Sequence, residues 1–313
     1  MKKRIGILYS GQLRGSSINK YFKKDNIILD STTNFLLNDE FKKMFDFDVF
    51  FSVDDCLDID KAKDYFGENL KNIHITETDW YMHPIQNKIH NFSYYFDNYS
   101  NIDFQNYENH IHAIYQYYRM YCCYNMLKNY EKENNIKYDY LIRIRPDIRL
   151  MQNVMPIFHL LESTNKQVFI EHEQLCIMKY ELQDIFKLIE TYGKYNKSIH
   201  CKESIYYYIT AGEQLATDNI MRFCPEKQFI DHIYYTLKYK NYDFFETFIG
   251  TKYPSFNLLY RENGTYGYIP DSHPIYHDPS FIWVPIHSEK YILETFYNDL
   301  QKYKSNYPIV DNE

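Results

Sequence analysis

Residues 138–150 read YDYLIRIRPDIRL, and the sense made of these thirteen positions decides the fold. Tyr140, Leu141, Ile142 and Ile144 form a short apolar run, which predicts a strand buried on both faces within a mixed or parallel sheet. Arg143, Arg145 and Asp147 have no place in such a strand unless something charged lies at its carboxyl end. Open α/β sheets bind their ligands just beyond the carboxyl ends of the strands, and guanidinium groups with one carboxylate suit a diphosphate and a divalent cation. The structural alternative is an internal Arg–Asp ion pair that fastens the strand end. Two arginines against one acid leave a cation over, so the reading favours a phosphate ligand.

Working outward, Tyr107 to Asn134 carries Ile111, Ile114, Tyr115, Tyr118, Tyr121, Cys122, Asn125 and Met126 at three- and four-residue intervals. That spacing predicts a long helix packed on the sheet and leading into the central strand. Arg4 to Tyr9 reads as a first strand, left through the loop Ser10-Gly11-Gln12-Leu13-Arg14-Gly15, and Phe47 to Val53 as a second after a helix near Thr33 to Phe45. Ile73 to Thr76 is a short third strand, and Trp80 to Asn106 an irregular excursion. Strand and helix therefore alternate through residue 150, as in a Rossmann-type sheet flanked by helices. Beyond it, Gln167 to Glu171 reads as a strand and Tyr180 to Tyr192, Cys201 to Ile209 and Pro225 to Tyr239 as helices. Leu215 to Phe223 fits either. No repeat, linker or domain boundary interrupts the chain.

YDYLIRIRPDI resembles the motif of nucleotide-sugar-dependent glycosyltransferases of GT-A type. The likeness is to a group common in large DNA viruses and bacterial capsule loci, where "YD-apolar-apolar-R-x-R-x-D" stands in place of the usual DxD. RIGILYSGQLRG (Arg4–Gly15) resembles that group's first strand and donor loop. DVFFSVDD (Asp48–Asp55) resembles its second strand, and TDNIMRFCPEKQFIDHI (Thr217–Ile233) its late Asp and Pro-Glu helix. The resemblance implies one GT-A-like α/β domain, with residues 1–150 binding a nucleotide sugar and 151–313 the acceptor. It implies a UDP-sugar donor, a glycan or other hydroxyl acceptor, and a divalent metal, manganese or magnesium. It also implies that Asp147 helps to hold metal and diphosphate, and that Asp218 binds the acceptor or acts as its base.

The first position of DxD is here Arg145, so a conventional two-carboxylate metal site is in doubt and Arg145 carries part of the charge a metal would supply. Gly11 allows backbone to approach a nucleotide, and Arg14 has the reach for a phosphate. Ser10 and Gln12 belong to the same loop, whose plain alternative is a strand-to-helix turn. Asp54 and Asp55 end the second strand. Either serves equally as a helix or turn cap, with Asp54 preferred for the nucleoside because it leaves the strand first. Glu226 reads as a helix-terminal charge. In the loop SHPIYHDPSFIWVPIH, His277 beside Asp278 is a candidate further metal ligand, against the plainer reading of a surface histidine.

The composition narrows the classes. With 45% hydrophobic and 25% charged residues in 313, the chain is a folded globular protein. A net charge of -7 leaves no basic face for nucleic acid. The 35 tyrosines and 22 phenylalanines against 2 tryptophans reflect an AT-rich coding sequence, although tyrosine also suits a sugar-binding surface. Six cysteines without metal-ligand spacing point to a reducing compartment. No stretch reads as a secretory signal or a bilayer span, so the expected location is the cytoplasm, the host's if the source is viral. Two rivals stand beside glycosyl transfer: a nucleotidyltransferase that makes an activated sugar, and a non-catalytic carbohydrate-binding protein.

Overall fold

The computed structural model describes residues 2–13, 16, 18–21, 27–76, 108–150, 153–171, 174–188, 229, 232–233, 236–250, 256–258, 261–262 and 265–266. The order is β1 (Lys3–Gly11), α1 (Ile27–Phe35), α2 (Asp39–Met44), β2 (Phe45–Asp54), α3 (Ile59–Phe66), β3 (Leu70–Thr76) and α4 (Glu108–Asn134). Then come β4 (Tyr140–Ile144), β5 (Ile148–Leu150), α5 (Met155–Ser163), β6 (Val168–Glu171), β7 (Leu175–Lys179), a 3-10 helix (Tyr180–Lys187), α6 (Phe244–Thr247), β8 (Phe248–Gly250) and β9 (Phe256–Leu258). Seven strands form one sheet in the order β3-β2-β1-β4-β7-β6-β8. β7 is antiparallel to both neighbours and the rest run one way, which makes a mostly parallel, mixed α/β sheet flanked by helices. β5 pairs with β9 in a separate two-stranded sheet.

Alternation along the strands gives the sheet two unlike faces. Ile5, Ile7 and Tyr9, with Val49, Phe51, Val53, Ile142 and Ile144, point to one side and join α5 and Phe41 of α2 in the main apolar core. The opposite face carries Gly6, Leu8 and Ser10 of β1, Phe50, Ser52 and Asp54 of β2, and Leu141 and Arg143 of β4, and α4 covers it. The Cys123 thiol of α4 donates to the carbonyls of Tyr9 (3.4 Å) and Phe50 (3.7 Å). Gly6 allows this approach: a Cβ there would lie 2.4 Å from Cδ1 of Leu127 and 2.9 Å from Cδ2 of Leu141.

Several sequence expectations change in detail. The helix expected near Thr33 to Phe45 is two helices, because the chain turns at 36–38 and Asn38 caps α2 by accepting from the Phe41 amide at 2.9 Å. Phe45 already begins β2. Tyr180–Lys187 winds as a 3-10 helix, and α3, α5 and β7 are elements the sequence reading did not pick out. The sheet crosses residue 150, since β6, β7 and β8 extend it beyond β4. Cys201 to Ile209 and Leu215 to Phe223 lie outside the described residues, whereas Phe229, His232, Ile233 and 236–239 of the expected Pro225 to Tyr239 helix are helical. No described helix is long and apolar enough to cross a membrane.

Gly6→Ala is expected to cost about 1–3 kcal/mol by overpacking the α4–β1 contact. In a Leu127→Ala background part of that cost should vanish, since the nearer of the two obstructing methyls is gone while Cδ2 of Leu141 remains. Urea unfolding of the four proteins checks this. An equal cost in both backgrounds would mean that the close approach is not what selects glycine.

Candidate functional site

From β1 the chain steps through β2 to β3 at one edge, then returns along α4 to place β4 on the other side of β1. β1 and β4 therefore flank the point where the strand order reverses. In open α/β sheets this is where ligands sit. Ser10 and Gly11 end β1, and Arg145, Pro146 and Asp147 follow β4. The topology thus gathers the two best-marked motifs of the sequence at one place.

Arg143 is fully buried on the α4 face of β4. Its Nε donates to Oγ of Ser10 at 3.0 Å and one terminal nitrogen to the Ser10 carbonyl at 3.4 Å. Ser10 pairs in register with Ser52, and Ser52 with His74. Oγ of Ser52 lies 2.9 Å from Nδ1 of His74. A polar row consequently crosses four strands beneath α4, one or two residues short of their carboxyl ends. A buried guanidinium without such partners would cost several kcal/mol, roughly, so the row is what makes Arg143 tolerable in a central strand.

Gly11 has φ +146°, a conformation that favours glycine, and a Cβ there would sit 3.3 Å from Cδ of Pro146 and 3.7 Å from Cγ of Arg145. The Arg145-Pro146-Asp147 turn is thereby pressed against the end of β1. Arg145 donates from Nε and a terminal nitrogen to the two carboxylate oxygens of Asp147, at 2.9 and 2.7 Å, in a bidentate pair. Asp147 is wholly buried, while the Arg145 side chain keeps 11% of its surface exposed. The internal ion pair set aside in the sequence reading therefore exists. The second arginine, Arg143, is held by hydrogen bonds to neutral Ser10 rather than by a second acid.

Asp54 ends β2 with its side chain buried under α4, where its carboxylate accepts from the Leu13 amide at 3.2 Å. Burial raises its pKa above the usual carboxylate value, countered in part by the Arg119 charge and the Leu13 amide. Arg119, on α4 and also buried, donates from Nε to Oγ1 of Thr76 at 3.3 Å. Asp54 thus ties down the loop that leaves β1. The same loop is stitched to the one after β2 by Lys20 N to Cys56 O (2.8 Å) and Asp58 N to Ile18 O (2.7 Å). The sequence reading missed Arg119. Its signal was an arginine flanked by Tyr117 and Met120 on the apolar face of a long helix, where a charge needs a buried counter-charge.

Gln12 is half-buried in the loop, and Arg14, Asp218 and His277 lie outside the described residues. The residues in hand do not fit a metal without rearrangement. Both oxygens of Asp147 are taken by Arg145, and among the described residues no group of three or more His, Cys, Asp or Glu side chains is placed to hold one. The nearby thiols are not poised as nucleophiles either. Burial raises Cys122 to about 11 and Cys123 well above the ordinary thiol value.

No family model matches the chain, and no curated protein does. Among solved structures it is similar to a cytidylyltransferase from Leptospira borgpetersenii serovar Hardjo-bovis (strain JB197), with 12% identity and a TM-score of 0.34 over 99% of this chain and 100% of that one. A likeness that low shows neither a shared fold nor an activity.

Asp54 gives a stability prediction whose sign follows from its raised pKa. The ionised form is disfavoured in the folded state, so its contribution is most favourable below the ordinary carboxylate pKa and declines as pH rises through the raised value. Asp54→Asn, which keeps an acceptor for Leu13, should match or exceed the parent's stability at about pH 7, with the advantage shrinking toward about pH 4. Asp54→Ala should lose about 1–3 kcal/mol through the orphaned amide. Denaturant titrations at the two pH values decide the matter. A less stable Asn variant at neutral pH would mean that charge pairing with Arg119 matters more than the acceptor.

Proposed function

We propose that this chain is a nucleotide-sugar-dependent transferase that binds the diphosphate of a UDP-sugar at the carboxyl ends of β1 and β4 and passes the sugar to a glycan or other hydroxyl acceptor. The observation that carries the reading is the placement of two positioned guanidinium groups, Arg143 and Arg145, at the switch point of a mostly parallel sheet. Glycosyl transfer requires that the departing nucleoside diphosphate be stabilised as its bond to the sugar breaks, and preorganised cations supply that electrostatically. Gly11 supports the reading because it lets the two strand ends close to van der Waals distance at the switch point. The Leu13 loop, held by Asp54, forms the neighbouring wall. Asp218, in the sequence that resembles the family's late acid, is the proposed acceptor-side carboxylate.

Nucleotidyl transfer would use the same phosphate subsite but a triphosphate substrate, with pyrophosphate leaving. UDP is expected to raise the melting temperature in proportion to the logarithm of its concentration, as a ligand selective for the folded state must. Calorimetric titration with UDP, UDP-sugars and UTP provides the measure. Slow release of UDP from a UDP-sugar selects glycosyl transfer and release of pyrophosphate from UTP with a sugar phosphate selects nucleotidyl transfer. No binding of any nucleoside phosphate at about millimolar concentration would sink both.

A further inference from the structure

We infer that Arg145 is itself the resident cation of the diphosphate subsite and that Asp147 is a positioning residue for that guanidinium, so nucleotide is bound without a divalent metal. The inference rests on the nucleotide reading above and goes beyond it, since a metal-dependent site would satisfy that reading equally well. Three features of the turn after β4 carry it. The first is that each oxygen of the Asp147 carboxylate already accepts from one planar fork, at 2.9 and 2.7 Å, and that the carboxylate is wholly buried. Magnesium and manganese bind carboxylates while keeping several waters of their own. Such a shell has no place around an oxygen that is both paired and out of contact with solvent.

The second feature is rigidity. Swinging Asp147 toward a metal would require the turn to move, and it is held from three sides. Pro146 has a fixed φ and stands within 3.3 Å of the position a Cβ on Gly11 would take. The amide of Arg145 donates to the Gln174 carbonyl at 3.0 Å. Ile148 and Leu150, directly after the turn, are locked into pairing with β9. The third feature is chemical. A guanidinium carries five donors in one plane, and engaging two of them bidentately fixes that plane beyond the carboxyl end of β4, where Arg145 is the more exposed partner of the pair. Arg143, held by Ser10, adds a second cation behind it. Net of the Asp147 carboxylate, the two guanidinium groups leave one positive charge beside the strand ends to meet part of the charge of a diphosphate that a metal would otherwise bridge.

The test is calorimetric titration of UDP into the purified full chain, once in EDTA and once in manganese chloride, for the parent and for Arg145→Met, Arg145→Lys and Asp147→Asn. The parent is expected to bind UDP with a Kd that changes less than about threefold between the two buffers. Arg145→Met should weaken binding at least about tenfold in both, since a charge-assisted bond is lost, and Arg145→Lys should recover only part of that loss because an ammonium lacks the fork. Asp147→Asn should weaken UDP with no rescue by manganese. If that variant fails to fold, the buffer comparison on the parent and the two Arg145 variants decides. UDP binding that appears only with manganese, or that Asp147→Asn abolishes in manganese while Arg145→Met does not, overturns the inference and leaves the nucleotide reading standing. Absence of UDP binding in both buffers overturns the nucleotide reading and, with it, this one.

Discussion

A guanidinium buried near the carboxyl end of a central strand is the constraint that the rest of this structure accommodates. Arg143 cannot shed its charge, and in the sheet interior its desolvation is offset only by hydrogen bonds that the fold must deliver at fixed positions. The nearest strand delivers them through the side chain and backbone of Ser10. That pairing sets the register of β1 against β4, and the register in turn places Gly11 against the Arg145-Pro146-Asp147 turn. A slip of one residue would put Arg143 on the opposite face, in the apolar core beside Ile7 and Phe51. Local polarity thus specifies the global arrangement of the two strands that flank the switch point.

The same constraint divides the sheet. One face is uniformly apolar and supplies cohesion. The other is mixed: Gly6, Leu141 and the buried Asp48, which accepts from the Tyr138 hydroxyl at 2.9 Å, lie toward the amino ends of the strands, and Ser10, Ser52, Asp54, His74 and Thr76 toward their carboxyl ends. α4 follows this pattern. Leu127 packs over Gly6, Cys123 over Tyr9 and Phe50, and Arg119 reaches Thr76 and the charge of Asp54. A 27-residue helix that is apolar at one end of its footprint and cationic at the other has a weak overall amphipathic signature. Its face is defined by what the sheet offers beneath each turn rather than by one stripe.

Much of this was legible in the sequence and some was not, for identifiable physical reasons. β1, β2, the carboxyl half of β3 and β4 announce themselves because their apolar runs are long or periodic, and the switch point follows from strand order; α4 is a helix as its sequence predicts, but its buried stripe is Tyr117, Met120, Cys123, Tyr124 and Leu127 rather than the one through Tyr118, Cys122 and Met126. The break between α1 and α2 is hidden because Leu36 and Leu37 continue the apolar spacing across it, and only the capping side chain of Asn38 marks the restart. β7 is hidden because Leu175–Lys179 lacks flanking glycine or proline punctuation, although it forms a hairpin with the adjacent β6 before pairing with β4. At the site, residue types were readable and pairings were not. Counting charges within YDYLIRIRPDIRL suggested a surplus cation, whereas the serine that receives it lies 133 positions upstream. Arg119 escaped notice because a single arginine on a helix is ordinarily solvated, and its burial becomes visible only when Thr76 and Asp54 are brought beneath it.

The charge distribution also bears on how such a site would capture an anion. The chain as a whole carries a net charge of -7, so its long-range field does not draw phosphate toward it. Attraction has to come from the few cations at the strand ends, acting over short distances in a partly desolvated setting where salt screens them little. Under those conditions geometry matters more than the number of charges. A guanidinium held in one plane by a buried carboxylate surrenders little further entropy when it meets a ligand, whereas a mobile lysine would have to be ordered at that moment. The wholly buried Asp147, costly as an isolated carboxylate, is then intelligible as the group that fixes Arg145 in advance. The fold accepts the desolvation of one ion pair, and the site gains a rigid cationic wall in return.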